Sequence, residues 1–373
     1  MGNKTITVVG IFNENNGITT FVKRNYGRLI AHGYKFIFVN ISNARPARDL
    51  AELGEYHEAT QFGKFRLWRH ISDLKHIYAQ ARRQSEIIHI HLDSLHNWLP
   101  ISLAKKAGFK RIIIHSHSDL RGQYGRIKQL MQNHGMKVAA RDATDYIACS
   151  QYAADFFYSK KTQQDPRFKV IINGIDLDQF AYDSRANTEI RQRCHIRPDD
   201  FVVGHTGRFL PQKNQAFLIR AFKEFSRHNP QAKLVLVGNG DQLPQAKKLV
   251  SLLHLDKQVI FTGYVQDAAA VENIFDLFAF PSLYEGLSQA LLENQAKGTP
   301  CLVSDRQSPE SFWAHETFKL SLRNTSSWCV QMEKFKRQPE SSRVQASAAN
   351  RQLLADRGMT LAHTAQALED LYR

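Results

Sequence analysis

The sequence predicts an α/β protein built from two doubly wound domains, each a mostly parallel sheet with helices on both faces. Three observations carry that expectation. Apolar runs of strand length alternate with helix-length stretches along the whole chain, the pattern of parallel sheets. At 373 residues the chain is too long for one ordinary core. A polar stretch from Asp176 to Asp200, with few aliphatic residues after Phe180, interrupts it near the middle.

In the first half, strands are read at Thr5–Phe12, Lys35–Ile41, Glu86–Leu92, Arg111–His115, Tyr146–Cys149 and Lys169–Ile172. Helical stretches between them include Ile18–His32, Ser94–Ala107 and Arg126–Ala143. The second half repeats the alternation, with strands at Val202–His205, Lys233–Val237, Val259–Phe261, Leu277–Phe280 and Cys301–Ser304. Its helices include Gln215–His228 and Gln242–Leu253. From Ser347 to Arg373 the pattern is helical, with Leu353, Leu354, Leu361, Leu368 and Leu371. The expected division is 1–180, 181–350 and a C-terminal helical segment 351–373. Two such domains facing each other leave a cleft at the carboxyl ends of their strands, so chemistry is expected in the loops after strands.

Composition narrows the function classes. An apolar content of 43% suits a globular chain, and no segment approaches the ~18 apolar residues of a membrane span. The run Ile6 to Phe12 reads as a strand rather than a signal peptide, because no small-residue cleavage site follows it. Ile6 also stands where a myristoylation pattern needs Ser or Thr. Four widely spaced cysteines without a C-x-x-C pair point to a reducing, cytosolic setting. A net charge of +15 asks for an anionic partner, which nucleic acid, an acidic membrane leaflet or a phosphorylated ligand would each satisfy.

Two loops carry chemistry. In Gly204-His205-Thr206-Gly207-Arg208, followed by Lys213, a strand ends in a glycine turn and presents two cations before a helix. Gly207 lets backbone approach a bulky ligand, Arg208 offers a bidentate fork for phosphate, and Lys213 adds a mobile point charge. Taken alone, the pattern fits a solvated βα loop equally well. The second loop is Glu285-Gly-Leu-Ser-Gln-Ala-Leu-Leu-Glu293. A helix beginning near Leu287–Ser288 offers free N–H groups and a positive dipole end to a diphosphate. Glu285 and Glu293 flank that start, and carboxylates accept well from sugar and ribose hydroxyls. The plain alternative is a dipole-favoured Glu285 and a solvated Glu293.

Together these blocks resemble the retaining family-4 glycosyltransferases of the GT-B fold. Gly204-x-x-Gly207-Arg208 with Lys213 matches the family's donor loop, and Glu285-x₇-Glu293 its two-glutamate signature. Val237-Gly238-Asn239-Gly240, Phe261-Thr262-Gly263-Tyr264-Val265 and Asn173-Gly174-Ile175-Asp176 add to the match, which runs from Asn173 to about Asp305. The segment Ile112-Ile113-Ile114-His115-Ser116-His117-Ser118 looks like members that build bacterial capsular or exopolysaccharides.

The resemblance implies an acceptor-binding first domain and a donor-binding second domain. Arg208 and Lys213 would stabilise the departing diphosphate, with Gly207 beside it. Glu285 would bind hydroxyls of the donor sugar, and Glu293 the ribose. Backbone groups at Gly286, Leu287 and Ser288 would contact the phosphates. The family's first-strand loop carries two glycines; here it reads Asn15-Asn16-Gly17-Ile18, leaving Gly17 as the donor contact. His115 stands where the family places a histidine against donor sugar or acceptor, and a buried structural histidine is the alternative. His115/His117 and His89/His91 form conceivable metal pairs, but no carboxylate or cysteine stands at ligand spacing. The enzyme is therefore expected to need no metal or other cofactor. No carboxylate other than Glu285 is a formal nucleophile, which points to attack from the leaving-group side with retention.

The segment Phe62–Arg83 holds Lys64, Arg66, Arg69, Lys75, Arg82 and Arg83 against Asp73, interleaved with Phe65, Trp68, Ile71, Leu74 and Tyr78. Such a helix suits an anionic membrane and an acceptor carried on a lipid diphosphate; an ordinary amphipathic helix is the alternative. Three rivals to sugar transfer stand less well. A nucleotide-sugar epimerase or a phosphorylase shares the architecture, the latter usually on a longer chain with a pyridoxal lysine. A nucleic-acid binder would gather its basic residues into a stripe, and here they are spread. A dinucleotide-binding dehydrogenase would need a third glycine after Gly238-Asn239-Gly240, where Leu243 stands.

Overall fold

The computed structural model describes residues 4–14, 16–42, 45–63, 65–118, 125–314, 316–335 and 337–373; Asn15 and Lys64 of the sequence motifs lie outside them. The chain forms two compact units, Met1–Gly174 with Leu361–Arg373, and Ile175–Thr360.

The first unit holds a parallel sheet of β1 (Thr5–Gly10), β2 (Lys35–Asn40), β3 (Glu55–Glu58), β4 (Ile87–Leu92), β5 (Arg111–Ser116), β6 (Asp145–Ala148) and β7 (Phe168–Val170). Their order is β3-β2-β1-β4-β5-β6-β7. In β1, Ile6, Val8 and Val9 are wholly buried and Thr7 is buried with them, as in a strand covered on both faces. The strand order reverses between β1 and β4, the switch point where ligands of such sheets bind. The helix Gly17–Ala31 starts where Asn16 Oδ1 accepts from the Ile18 N–H at 3.1 Å. It buries Ile18, Phe21, Val22 and Leu29, one apolar stripe at helical spacing.

The second unit carries β8 (Val202–Thr206), β9 (Lys233–Val237), β10 (Val259–Gly263), β11 (Leu277–Phe280), β12 (Cys301–Ser304) and β13 (Thr317–Leu320), ordered β10-β9-β8-β11-β12-β13. All neighbours are parallel, and the switch point falls between β8 and β11. The helix Gln215–His228 buries Leu218, Ile219, Phe222 and Phe225 against this sheet.

Two strands, β3 and β13, escape the sequence pattern. Both are edge strands: Glu-Tyr-His-Glu and Thr-Phe-Lys-Leu carry charges that an outer position tolerates and a central one would not. The sequence also places the domain boundary at 180/181 and treats 351–373 as a separate segment. The units divide instead after Gly174, and the terminal segment is shared between them. Gly358, at φ 72°, ends the helix Glu340–Asp356. That helix is fixed to the second unit by Arg343, which donates to the Phe275 carbonyl at 2.7 Å and to Thr299 Oγ1 at 2.9 Å. The next helix, Leu361–Tyr372, gives Leu368, Leu371 and Tyr372 to the core of the first unit. Leucine spacing marks both helices, but nothing in it says which core each one joins.

Tyr372 is wholly buried, and its hydroxyl lies 2.8 Å from that of Tyr26. Tyr372→Ala is expected to destabilise the first unit by about 3 to 5 kcal/mol, read as a lowered urea midpoint for that unit.

Candidate functional site

The two loops singled out in the sequence leave adjacent strands of the second unit, β8 and β11, on either side of its switch point. After β8 the chain is pinned to the end of β9: the Gly207 N–H donates to the Val237 carbonyl and the Phe209 N–H to that of Asn239, both at 2.9 Å. The β9 loop can lie this close only as glycine. A Cβ on Gly238 would stand 2.2 Å from the Gly207 carbonyl oxygen, and one on Gly240 2.6 Å from that of Phe209; their φ values are +132° and +153°. Val237-Gly-Asn-Gly is therefore a packing device that seats the β8 loop.

The β8 loop is then laced to the β11 loop. Gln212 Nε2 donates to the Tyr284 carbonyl at 2.8 Å, and the Leu283 N–H donates to the Gln212 carbonyl at 2.8 Å. Asn214, left-handed at φ 54°, donates to the Pro281 carbonyl at 3.3 Å. At the centre, Lys213 Nζ donates to Glu285 Oε1 at 2.7 Å, with the side chains 16% and 10% exposed. The ammonium also lies 4.8 Å from the centre of the Phe280 ring. Gly207 makes room for this arrangement: a Cβ there would touch Lys213 Cδ and Cε at 3.4 Å and His205 Nε2 at 3.3 Å. Arg208 differs from Lys213. Gln215 Nε2 fixes its carbonyl at 2.9 Å, while its exposed guanidinium has no partner among the described residues.

Gly286, Leu287 and Ser288 are buried and lead into the helix Gln289–Ala296. Ser288 caps it, Oγ accepting from the Leu291 N–H at 3.4 Å, so the helix opens one turn-residue later than the sequence suggests. Glu293 is buried rather than solvated. Beside it sits Glu272, wholly buried, whose carboxyl is pushed up to about 8 by burial first and by the charge of Glu293 second. Lys297, buried in the same region, is held below the usual lysine range by desolvation.

Sequence reasoning missed Glu272 and His205. His205 Nδ1 donates to the Ala279 carbonyl at 2.9 Å, and burial lowers the ring to about 4.

Gly17 and His115 belong to the first unit. Gly17 opens the helix after β1, and a Cβ there would meet nothing within 4 Å. His115 is wholly buried in a stack with His89, His91 and His117. The Tyr26 hydroxyl lies 3.0 Å from His89 Nδ1 and 2.9 Å from His91 Nε2, and His91 Nδ1 lies 2.8 Å from His117 Nε2. Phe21 covers the His115 ring edge-on at 5.3 Å between centres. His89, His91 and His115 bring ring nitrogens within 4.8 Å of one another. His89 and His115 are nevertheless stacked, 8° between planes, so their in-plane lone pairs do not converge. His91 already uses both nitrogens. Neither ring nitrogen of His115 has a hydrogen-bond partner among the described residues.

Residues 15–179 match the family described as Glycosyltransferase Family 4, and residues 186–351 match Glycosyl transferases group 1. EpsF of Bacillus subtilis (strain 168), a glycosyltransferase, is 30% identical over 219 residues, covering 58% of this chain and 57% of EpsF. The UDP-Gal:alpha-D-GlcNAc-diphosphoundecaprenol alpha-1,3-galactosyltransferase of Escherichia coli is 28% identical over 222 residues, covering 52% of this chain and 57% of that protein. The chain thus spans little more than half the length of these curated relatives. The solved structure of Anabaena HepE with UDP-glucose superposes with a TM-score of 0.80 at 18% identity, over 99% of both chains. At that identity the likeness is one of fold, and the fold is GT-B.

The histidine stack makes stability depend on pH. Burial holds His89, His91 and His115 well below 6.5 and His117 near about 3, with mutual repulsion adding to the first three. Below pH ~6.5 the unfolded chain binds protons that the folded one refuses, so this stabilisation is complete above that pH and lost as pH falls. The urea midpoint should drop steadily below pH ~6.5, as stability falls by up to about 1.4 kcal/mol per pH unit for each histidine. His115→Phe should make the drop shallower.

Proposed function

This chain belongs to the family-4 glycosyltransferases, and on that premise we propose that it transfers a hexose or N-acetylhexosamine from a UDP-sugar to a hydroxyl of a glycan or lipid-linked acceptor. The proposal places it in cell-surface polysaccharide assembly, on the cytoplasmic side, as a retaining enzyme that needs no metal. The observation that carries it is the Lys213–Glu285 pair, held with the open Arg208 ahead of a helix start at one switch point. A cation and a hydroxyl acceptor in contact suit a sugar diphosphate, which needs both within a few ångström. UDP is favoured because HepE is solved with UDP-glucose and the Escherichia coli relative uses UDP-Gal. That relative's diphosphoundecaprenol acceptor favours a lipid carrier.

In this proposal Lys213 and Arg208 neutralise charge building on the leaving diphosphate, and Gly286, Leu287 and Ser288 offer backbone N–H groups to it. Glu285 receives donor-sugar hydroxyls, Glu293 the ribose, and Gly207 keeps the loop open. The acceptor hydroxyl attacks the anomeric carbon on the face that the diphosphate leaves. Its C–O bond forms as the anomeric C–O bond breaks, and its proton passes to the departing diphosphate oxygen. The first unit takes the acceptor. Gly17 keeps its proposed place after β1, and His115 supports its surroundings from within the stack.

Phe65 and Trp68 are 95% and 83% exposed beside Arg66 and Arg69, at the start of the helix Leu67–Ala81. Ile127 and Leu130 on the helix Arg126–Asp142 are 76% and 68% exposed. Among the described residues no helix is long and apolar enough to cross a membrane. Exposed aromatics among arginines favour contact with an anionic leaflet, where the lipid-linked acceptor would lie.

The test is isothermal titration with UDP, UDP-glucose and GDP-mannose, followed by mass spectrometry of products on lipid-linked oligosaccharides. Absence of binding by any of the three, or donor turnover without acceptor, overturns the proposal. Lys213→Ala should lose about a hundredfold in kcat while donor Kd changes far less; equal losses would argue against its leaving-group role. Co-sedimentation with phosphatidylglycerol vesicles should weaken in Trp68→Ala and vanish with neutral lipid.

A further inference from the structure

His205 on β8 is wholly buried, its ring stacked on that of Phe280 at 5.7 Å between centres and 24° between planes. Phe280 is also the ring over which the Lys213 ammonium lies. His205 Nδ1 stands 2.9 Å from the Ala279 carbonyl, and a carbonyl only accepts, so Nδ1 carries the hydrogen. Burial keeps the ring neutral, which leaves Nε2 a lone pair to offer. That nitrogen is buried and receives no hydrogen bond from a described residue. Protein interiors seldom leave such an acceptor without a use.

Lys213 supplies the use. A Cβ on Gly207 would stand 3.3 Å from His205 Nε2 and 3.4 Å from both Cδ and Cε of Lys213. The ring nitrogen and the lysine stem therefore border the same small gap, held open by a missing side chain. An ammonium has three hydrogens to give. One goes to Glu285 Oε1 at 2.7 Å, and no other described residue accepts from it. In the donor-site proposal Glu285 turns to a sugar hydroxyl and Lys213 to the diphosphate, which takes away that tether. A neutral acceptor can replace it without cancelling the charge that the diphosphate needs, as a second carboxylate would.

We propose that His205 is a positioning residue for Lys213, its Nε2 accepting one ammonium hydrogen once Glu285 engages the donor sugar, so that the cation stays aimed at the leaving diphosphate. This rests on the donor-site proposal above. No proton is transferred: the ring stays neutral and the lysine charged.

The experiment separates the two ring nitrogens. In His205→Asn the amide N–H takes the place of Nδ1–H toward Ala279, and nothing stands where Nε2 was. In His205→Gln the amide oxygen takes the place of Nε2, and the bond to Ala279 is lost. Each is compared with wild type in urea midpoint and in UDP release from UDP-hexoses and UDP-N-acetylhexosamines on lipid-linked oligosaccharides. His205→Asn should keep the midpoint and lose about tenfold in kcat, with donor KM little changed. His205→Gln should have the lower midpoint yet recover most of that rate. Added to Lys213→Ala, His205→Asn should cost nothing further in kcat, since the group it positions is gone. Rates that follow the midpoints across the two variants, or a full further loss in the Lys213→Ala background, overturn the positioning role alone. A wild-type protein that turns over none of these donors overturns the donor-site proposal, and this inference with it.

Discussion

Parallel strands deliver their loops to one edge of a sheet, and at a switch point those loops diverge. In the second unit the Lys213–Glu285 pair closes the gap between the β8 and β11 loops. A surface pair of this kind would contribute little, since water screens it. Here both side chains are largely covered, so the attraction acts in a medium that screens less, and the desolvation it incurs must be met locally. The Phe280 ring face beneath the ammonium and the flanking backbone hydrogen bonds meet part of it. The pair depends in turn on absent side chains. Gly238 and Gly240 let the β9 loop seat the β8 loop, and Gly207 leaves the lysine stem its path. Three glycines and one ion pair thus form a single construction, and the helix carrying Glu293 begins where it ends.

Both units put neutral imidazoles deep inside near their switch points. On β4, β5 and just beyond, four imidazoles stack, and His89 and His91 bond to tyrosine hydroxyls; on β8, His205 bonds to the Ala279 carbonyl. Neutral imidazole supplies hydrogen-bonding capacity without the desolvation penalty of an ion, and burial enforces that neutrality. Much of the chain's positive charge lies outside, although Arg191, Lys297 and Arg343 are buried. It resides in groups such as Arg208, Arg66 and Arg69, which face water.

Interior strands were legible because burial on both faces writes a continuous apolar run: Lys233–Val237, Leu277–Phe280 and Cys301–Ser304 appear in the structure with the bounds their residues suggest. The charged edge strands Glu55–Glu58 and Thr317–Leu320 write no such run, which is why they passed as loop. In the candidate site, Arg208, Lys213, Glu285 and Glu293 were legible from spacing, since a strand-end cation and a helix-start carboxylate are local features. That Lys213 and Glu285 touch is not local. Their separation along the chain, and the lacing by Gln212, become visible only once β8 and β11 lie side by side. Glu272 and His205 were illegible for a related reason. Burial of a polar residue is a property of its neighbours in space, and a single glutamate reads as solvated until those neighbours are known.

The charge state of Glu272 bears on what the site can hold. Arg208 and Lys213 bring two positive charges to the β8 loop, and Glu285 and Glu293 bring two negative ones to the β11 loop and its helix. A third carboxylate beside Glu293 would tip the surroundings of the helix start negative, against the sign of a diphosphate. Burial and Glu293 push the Glu272 carboxyl toward its neutral form, a direction that leaves the remaining side chains balanced, so that the oriented N–H groups of the helix start and Arg208 set the local field. Arg208 is then the group whose charge remains available to an incoming anion, while Lys213 is held ready by Glu285. A diphosphate that draws Lys213 toward itself releases Glu285 to accept a hydroxyl, so the two halves of a sugar nucleotide would be engaged together rather than one after the other.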